Sequence, residues 1–179
     1  MERLPLTNLD GLEGLTSVGD SLLIAHNDAL ETLRGLQGLA TVGGHLVILE
    51  NPALASLHGV QNLTRIGGNL AIFQNRALAG LQGLEGLTSV GEHLVVGGNP
   101  VLSSLQGLNS LTNIEGGLAI QKNSALTSLT AFSHLTRVGG RLVIGGNESL
   151  TDLDGLEGLT VVPRDLDIYE NDALSSVRG

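Results

Sequence analysis

A repeat of 24 residues runs through the chain and limits its possible folds more than any other feature. Seven copies follow one another without insertion or deletion, and each begins with Leu: Leu9, Leu33, Leu57, Leu81, Leu105, Leu129 and Leu153. They cover residues 9–176 of 179, and residues 1–8 and 177–179 are partial copies at the ends. A period of this length indicates a solenoid or a propeller. We number the positions of each copy 1 to 24, and the copies as coils 1 to 7.

The apolar positions of the repeat predict β-structure. Positions 1, 4, 7, 10, 14, 16 and 22 are Leu, Val or Ile in every coil, apart from Phe132. Their mixed spacing of two and three residues, interrupted by Gly and Asn, does not sustain a helical pattern. It fits short strands whose alternate side chains point inward. We therefore expect residues 1–179 to form a single all-β domain, a right-handed parallel β-helix of seven 24-residue coils with little or no helix.

Position 19 is the one polar position that never varies. We expect its side chains to point inward at a bend and to satisfy backbone groups of their own coil and of the next. This predicts a structural ladder and not a ligand site. Its members are Asn27, Asn51, Asn75, Asn99, Asn123, Asn147 and Asn171.

Two runs of the repeat carry a resemblance to a known family. NPALASLHGVQNLTRIGG (residues 51–68) and NPVLSSLQGLNSLTNIEGG (residues 99–117) resemble the receptor L domain. This is a leucine-rich-repeat-like β-helix of growth-factor receptors and bacterial surface proteins. The resemblance implies short parallel sheets, with L-x-I-x-x-N forming the main one, and a binding role at a bacterial cell surface or outside the cell. This chain is far more regular than the receptor domains and has no Cys, so the scaffold carries over and hormone binding does not.

Composition and charge exclude several classes of partner. The net charge is −9 and the nine basic residues are scattered, which is unfavourable for nucleic acid or an anionic membrane. No apolar run approaches the ~20 residues of a membrane-spanning helix, so we expect no membrane insertion. The first residues, MERLPLTN, lack the apolar stretch of a signal peptide, and a cytoplasmic location therefore also stays open.

No group of residues predicts catalysis, a metal site or a cofactor. His45 and His93 share position 13 but lie two coils apart, about 9.6 Å at solenoid pitch, too far to share a zinc ion. Asp165 and Asp167, next to Pro163, are expected to protect the last coil against further stacking. With so few aromatic side chains, a small-molecule site is not expected either. We therefore expect a protein that is not an enzyme.

One apolar stripe stands where polar residues are expected. Position 15 lies between two inward positions and should point outward, yet it is apolar in six coils, and position 17 adds further apolar residues. Such a stripe indicates a covered face, although the preference of Val for strands also accounts for it. The candidate partner-binding face comprises Leu23, Val47, Leu49, Ala71, Phe73, Val95, Ala119 and Val143.

The expected function is that of an interaction scaffold that binds a protein partner through this stripe. The alternative is a structural protein that self-assembles, as a dimer through the stripe or as a fibre through its ends. A third hypothesis, ice binding, depends on Thr at position 8. Because position 10 faces the core, strand alternation predicts that these hydroxyls also point inward and link the coils. They belong to Thr16, Thr64, Thr88, Thr112, Thr136 and Thr160.

Overall fold

The computed structural model describes residues 5–177, which wind into a parallel β-solenoid. Each coil contributes a four-residue strand at positions 14–17 to a main sheet of seven strands. The main sheet contains β2 (Leu22–Ala25), β4 (Leu46–Leu49), β6 (Leu70–Phe73), β8 (Leu94–Gly97), β10 (Leu118–Gln121), β12 (Leu142–Gly145) and β13 (Leu166–Tyr169). Neighbouring strands pair in parallel with a shift of 24 residues, as Ile48 does with Ile72.

A second, smaller sheet is built from two-residue strands at positions 9–10 of the first six coils. Its strands are β1 (Ser17–Val18), β3 (Thr41–Val42), β5 (Arg65–Ile66), β7 (Ser89–Val90), β9 (Asn113–Ile114) and β11 (Arg137–Val138). The helix found in the described part of the chain is one 3-10 turn, Thr130–Phe132. The predicted all-β parallel solenoid is therefore confirmed.

The core is aliphatic and lies between the two sheets. In coils 2–6 the seven apolar positions of the repeat are buried, so that Leu94 and Val96 of β8 have no exposed surface. In the end coils the same positions are partly open, and Leu12 and Leu166 are 45% and 55% exposed. Each coil thus needs a neighbour on both sides to bury its apolar positions, as expected of a repeat protein.

The asparagine ladder is confirmed. The backbone N–H of Asn75 donates to Oδ1 of Asn99 at 3.0 Å, and Asn99 donates to Asn123 in the same way. Nδ2 of Asn75 donates to the carbonyl oxygen of Ile48 at 3.0 Å and to that of Phe73 at 3.1 Å. Within residues 5–177, no buried side-chain N or O lacks a hydrogen-bond partner. The ladder joins the carbonyls at each bend to the next coil.

Glycine at position 3 lets adjacent coils approach closely. Gly59 has φ of 128°, and a Cβ there would overlap the carbonyl oxygen of Leu33. The position-5 side chain caps the same turn, as Gln37 does by accepting from the N–H of Gly35 at 2.9 Å. Coil 6 has Ala131 at position 3 and forms the 3-10 turn instead.

The second sheet stops one coil before the main sheet because of Pro163. In coils 2–6 the N–H at position 11 donates to the position-10 carbonyl of the coil before, as Gly139 does to Ile114. Pro163 has no N–H to donate to Val138. The seventh copy therefore contributes one strand, not two, and a cavity of about 340 Å³ separates it from coil 6 on this side. The prediction of seven full coils is corrected to six complete coils and one partial coil.

Candidate functional site

The outward face of the main sheet is apolar and uncharged over six coils. We call this surface the sheet face, and it consists of positions 15 and 17 in coils 1–6. The position-15 residues are Leu23, Val47, Ala71, Val95, Ala119 and Val143, and the position-17 residues are Ala25, Leu49, Phe73, Gly97, Gln121 and Gly145. Leu23 is 65% exposed, and Val47, Ala71, Val95 and Ala119 are partly exposed. The charged residue Asp167 appears only in coil 7, which bounds the surface.

Val143 differs from the expectation for the candidate partner-binding face because it is only 7% exposed. Asp167 is its cross-strand neighbour on β13, and Arg141 stands two residues before it on the same side of β12. The Arg141 guanidinium donates to the Asp167 carboxylate beside it. This hydrogen bond raises the pKa of Arg141 above its ordinary value. Val143 is therefore not available to a partner, and the usable face ends at coil 5.

Two aromatic rings lie flat on the sheet over glycines. A Cβ added to Gly97 would be 2.6 Å from Cε2 of Phe73, and one added to Gly145 would overlap the ring of Tyr169. The Tyr169 hydroxyl reaches further and accepts a hydrogen bond from Nε2 of Gln121 at 2.8 Å. The rings fill the space that side chains at the glycines would occupy, so Phe73 has a structural role as well as its place on the sheet face.

The sheet face is small for a stable interface. Six strands about 4.8 Å apart, each four residues long at about 3.3 Å per residue, give a surface of about 29 Å by 13 Å, about 400 Å². A typical specific interface buries about 800 Å² on each partner. A partner that binds here must also contact the surface beside the sheet.

A groove runs beside the sheet at the bend that follows each strand, across coils 1–5. We call it the corner groove. Its volume is about 660 Å³, and it lies against positions 18 and 20 with the Phe73 ring at its inner side. It is lined by His26, Asp28, Glu50, Pro52, Phe73, Gln74, Arg76, Gly98, Pro100 and Lys122.

The position-18 residues of this groove adopt a left-handed backbone. His26, Glu50, Gln74 and Lys122 have φ between 55° and 57° or, for Glu50, of 52°. At the same position Gly98 has φ of 65°, so the bend accepts glycine. For residues with a Cβ this conformation costs roughly 1 to 2 kcal/mol each. Strain of this kind is enriched at functional sites.

The charges of the groove are separated along the solenoid axis. Asp28 and Glu50 lie in coils 1 and 2, where Glu50 is 3.1 Å from Nδ1 of His26. Arg76 and Lys122 lie in coils 3 and 5, and neither forms an ion pair with any of residues 5–177. One end of the groove is therefore acidic and the other basic.

The net charge of the protein is concentrated in its two end coils. The five coils between them, residues 33–152, contain six acidic and six basic residues and are neutral. Coil 7 has six acidic residues and Arg164. Coil 1 has five acidic residues and no Lys or Arg: Asp10, Glu13, Asp20, Asp28 and Glu31. The sheet face and the basic end of the groove thus lie on the neutral part of the molecule.

The two histidines of position 13 belong to a second polar ladder that the sequence did not predict. Nδ1 of His45 accepts from the N–H of Asn69 at 2.9 Å, and Oδ1 of Asn69 accepts from His93 at 2.8 Å. Nδ1 of His93 accepts from Gly117 at 2.8 Å. Their Nδ1 atoms are therefore occupied, and no group of three His, Cys, Asp or Glu suited to a metal ion occurs in the described residues.

The position-8 threonines point outward, which corrects the expectation that they face the core. Thr64, Thr88, Thr112 and Thr136 are exposed, and each hydroxyl donates to the position-8 carbonyl of the coil before, at 3.2 to 3.5 Å. Strand alternation does not apply to them because the strands of the second sheet begin at position 9. The expected link between coils is nevertheless present.

Comparison with known proteins supplies no relative. No family model, no curated protein and no solved structure matches the chain. In residues 5–177, no helix is both long and apolar enough to cross a membrane. The resemblance to the receptor L domain therefore stays a prediction, and function has to be argued from the surface itself.

Proposed function

We propose that this protein is a non-enzymatic scaffold that binds another protein through the sheet face. The observation that carries the proposal is an outward surface of main-sheet strands without a charged side chain over six coils. Solvent-facing strands of a sheet usually carry polar residues. Inward positions are consumed by the core and by the asparagine ladder, so the outer surface is the part of each coil free to bind.

The size of the sheet face defines how the partner binds. At about 400 Å² it is half of a typical contact surface, so the partner also covers the neighbouring corner groove. Leu49 and Phe73 stand at the border of the two surfaces. The resemblance of residues 51–68 and 99–117 to receptor L domains supports an extracellular or cell-surface setting, with bacterial surface proteins as the nearest parallel.

The charges of the end coils count against the fibre alternative. If coil 7 of one copy stacked in register on coil 1 of another, three positions would bring acidic residues together at about 4.8 Å. Like charges at this distance repel. The pairs would be Asp154 with Asp10, Glu157 with Glu13, and Asp172 with Asp28. A face-to-face dimer through the sheet face does not meet this repulsion.

The exposed threonine row gives ice binding a specific observation in its favour. Against it, Arg65 and Arg137 stand next to the row and are exposed, so the surface is neither flat nor uniformly hydroxylated. Measurement of thermal hysteresis decides the matter, and we expect none. Measurable hysteresis that disappears in Thr88→Lys would assign this function instead.

The test uses a photo-crosslinking residue in place of Ala71, in the centre of the sheet face. In an extract of the source cells we expect one crosslinked protein, because Ala71 lies between Val47 and Val95 on neighbouring strands. Val47→Lys or Val95→Lys should abolish the product, since a charge at a desolvated contact is unfavourable. Ser89→Lys, on the outward side of the second sheet, is the matched control and should leave it unchanged.

Two results would contradict the proposal: absence of any product, or a product that persists in both face variants. Sedimentation velocity over a concentration series separates the remaining alternative. A dimer that dissociates in Val47→Lys would show that the partner is a second copy of this chain.

A further inference from the structure

We propose that the corner groove binds an extended peptide segment that carries basic residues at one end and acidic residues at the other. The peptide lies along the solenoid axis, its basic end at Asp28 and Glu50 and its acidic end at Arg76 and Lys122. This deepens the proposed function by naming the chemistry of the segment recognised beside the sheet face.

The dimensions of the groove fit a short extended chain. It spans coils 1–5, which is four spacings of about 4.8 Å or about 19 Å, and an extended peptide covers that length with about six residues at about 3.3 Å each. Its volume is about 660 Å³. Phe73, Pro52 and Pro100 provide apolar surface in the middle, where an apolar side chain of the peptide packs.

The charges of the groove specify what occupies it. Arg76 and Lys122 are unpaired among residues 5–177, and Asp28 likewise forms no ion pair there. Unpaired groups of both signs, separated along one groove, complement a ligand with the opposite order of charges. Acidic polysaccharides and nucleic acids carry one sign along their whole length, and the acidic end would repel them. A polypeptide carries both signs in a fixed order.

The backbone of the bend is an independent observation. Four of the five non-glycine residues with left-handed φ line this groove, and the fifth is Glu170 in the last coil. Gly98 and Gly146 occupy the same position with φ of 65° and 67°, so the bend itself does not require a side chain. His26, Glu50, Gln74 and Lys122 retain theirs despite the strain, which we attribute to contacts with the ligand.

The experiment is a calorimetric titration of the whole chain with three peptides of one composition. Two have segregated charges, Lys-Lys-Ala-Phe-Ala-Glu-Glu and Glu-Glu-Ala-Phe-Ala-Lys-Lys, because the direction of the peptide in the groove is not assigned. The third, Lys-Glu-Ala-Phe-Ala-Glu-Lys, cannot match the groove in either direction. We expect one segregated peptide to bind at least about tenfold more tightly than the third.

Protein variants locate the binding. The double variant Arg76→Ala, Lys122→Ala should weaken the tighter peptide by about tenfold or more, because it removes both charge-assisted contacts. Arg65→Ala is the matched control, since Arg65 is also exposed and unpaired but lies on the second sheet, and it should leave the affinity unchanged. All three side chains are exposed, so circular dichroism should show an intact fold.

Equal binding of the three peptides, no binding of any, or an unchanged affinity in the double variant would each overturn the proposal. Tighter binding of hexagalacturonate than of either segregated peptide would also overturn it and assign the groove to an acidic polysaccharide. Val95→Lys separates the two proposals. It should leave peptide affinity unchanged while abolishing the crosslink from the sheet face, so either surface can fail without the other.

Discussion

Asn99 is the residue on which the interior of the solenoid depends most clearly. Its Oδ1 accepts from the N–H of Asn75, and its Nδ2 donates to the carbonyls of Ile72 and Gly97. Asn99→Ala leaves these buried groups without partners, so we expect a loss on the order of 3 to 5 kcal/mol in the free energy of unfolding. Urea denaturation measures it.

Asn27 provides the matched control, because it is the first member of the ladder and is partly exposed. No backbone N–H of a preceding described coil donates to its Oδ1. Asn27→Ala should cost about 1 kcal/mol, the value of one or two hydrogen bonds that water replaces. Equal losses in the two variants would show that the ladder does not support the stack.

The glycines at position 3 permit a separation of two effects that usually occur together. Gly11 and Gly59 share left-handed φ, 107° and 128°, but a Cβ at Gly11 meets nothing within 4 Å, whereas at Gly59 it would overlap the Leu33 carbonyl. Gly11→Ala should therefore cost only the backbone strain, roughly 1 to 2 kcal/mol.

Gly59→Ala adds a steric conflict with backbone that cannot move without separating coils 2 and 3. We expect a loss above about 4 kcal/mol, in the range of severe core defects, or a failure to fold. Thermal unfolding followed by circular dichroism compares the two variants. A Gly59→Ala protein as stable as Gly11→Ala would contradict the close contact of neighbouring coils.

Residue identity predicted some of these features and not others. Position 19 was identified because an Asn at every bend of an apolar repeat must satisfy buried backbone groups. The position-13 ladder was missed because Ser21, His45, Asn69 and His93 share no residue type, although all four side chains accept a backbone N–H from the next coil. The corner groove was missed for a related reason, since the left-handed backbone at position 18 is not signalled by His, Glu, Gln or Lys.

At the scale of the strands, β6 and β8 are coupled through Phe73 and Gly97. Gly97→Ala alone should destabilise the protein, because the new Cβ would be 2.6 Å from the Phe73 ring. In a Phe73→Ala background the same substitution should stabilise it, since Ala is a better strand residue than Gly. A double-mutant cycle by urea denaturation should give a coupling energy of about 1 kcal/mol or more.

Additive effects within about 0.3 kcal/mol would show that the ring does not lie over the glycine. This feature also explains why Phe73 is a poor position for testing partner binding. Its removal uncovers the Gly97 backbone, so lost binding would not be separable from a local change in the sheet. Val47 and Val95 are cleaner choices because the structure shows no comparable contact for them.

Strand alternation predicted the main sheet well and the second sheet less well. Positions 14–17 form four-residue strands, long enough for the inward and outward sides to be read from the pattern. The strands of the second sheet have two residues, so the rule was extended to position 8, where it fails. Pro163 was identified as unfavourable for a further strand, and its missing N–H accounts for the end of the second sheet at β11.

For the whole molecule, the exact period predicted the architecture because every contact between coils joins residues 24 apart. The function was predicted less completely. The apolar stripe identified the sheet face except for Val143, whose burial depends on the Arg141–Asp167 pair in three dimensions. The groove depends on which side chains meet at a bend, and the neutral central coils place both surfaces between two acidic ends.

The most direct test of this account is to delete one coil, residues 105–128, and follow equilibrium unfolding by circular dichroism. If 24 residues are the physical unit, coil 4 meets coil 6 in register, Asn99 pairs with Asn147, and the shorter chain should unfold cooperatively with an unchanged β-spectrum per residue. Deletion of residues 105–116, half a coil, should abolish the fold because every apolar position loses its neighbour. Failure of the 24-residue deletion to fold, or equal stability of the two, would contradict the stacked-coil solenoid.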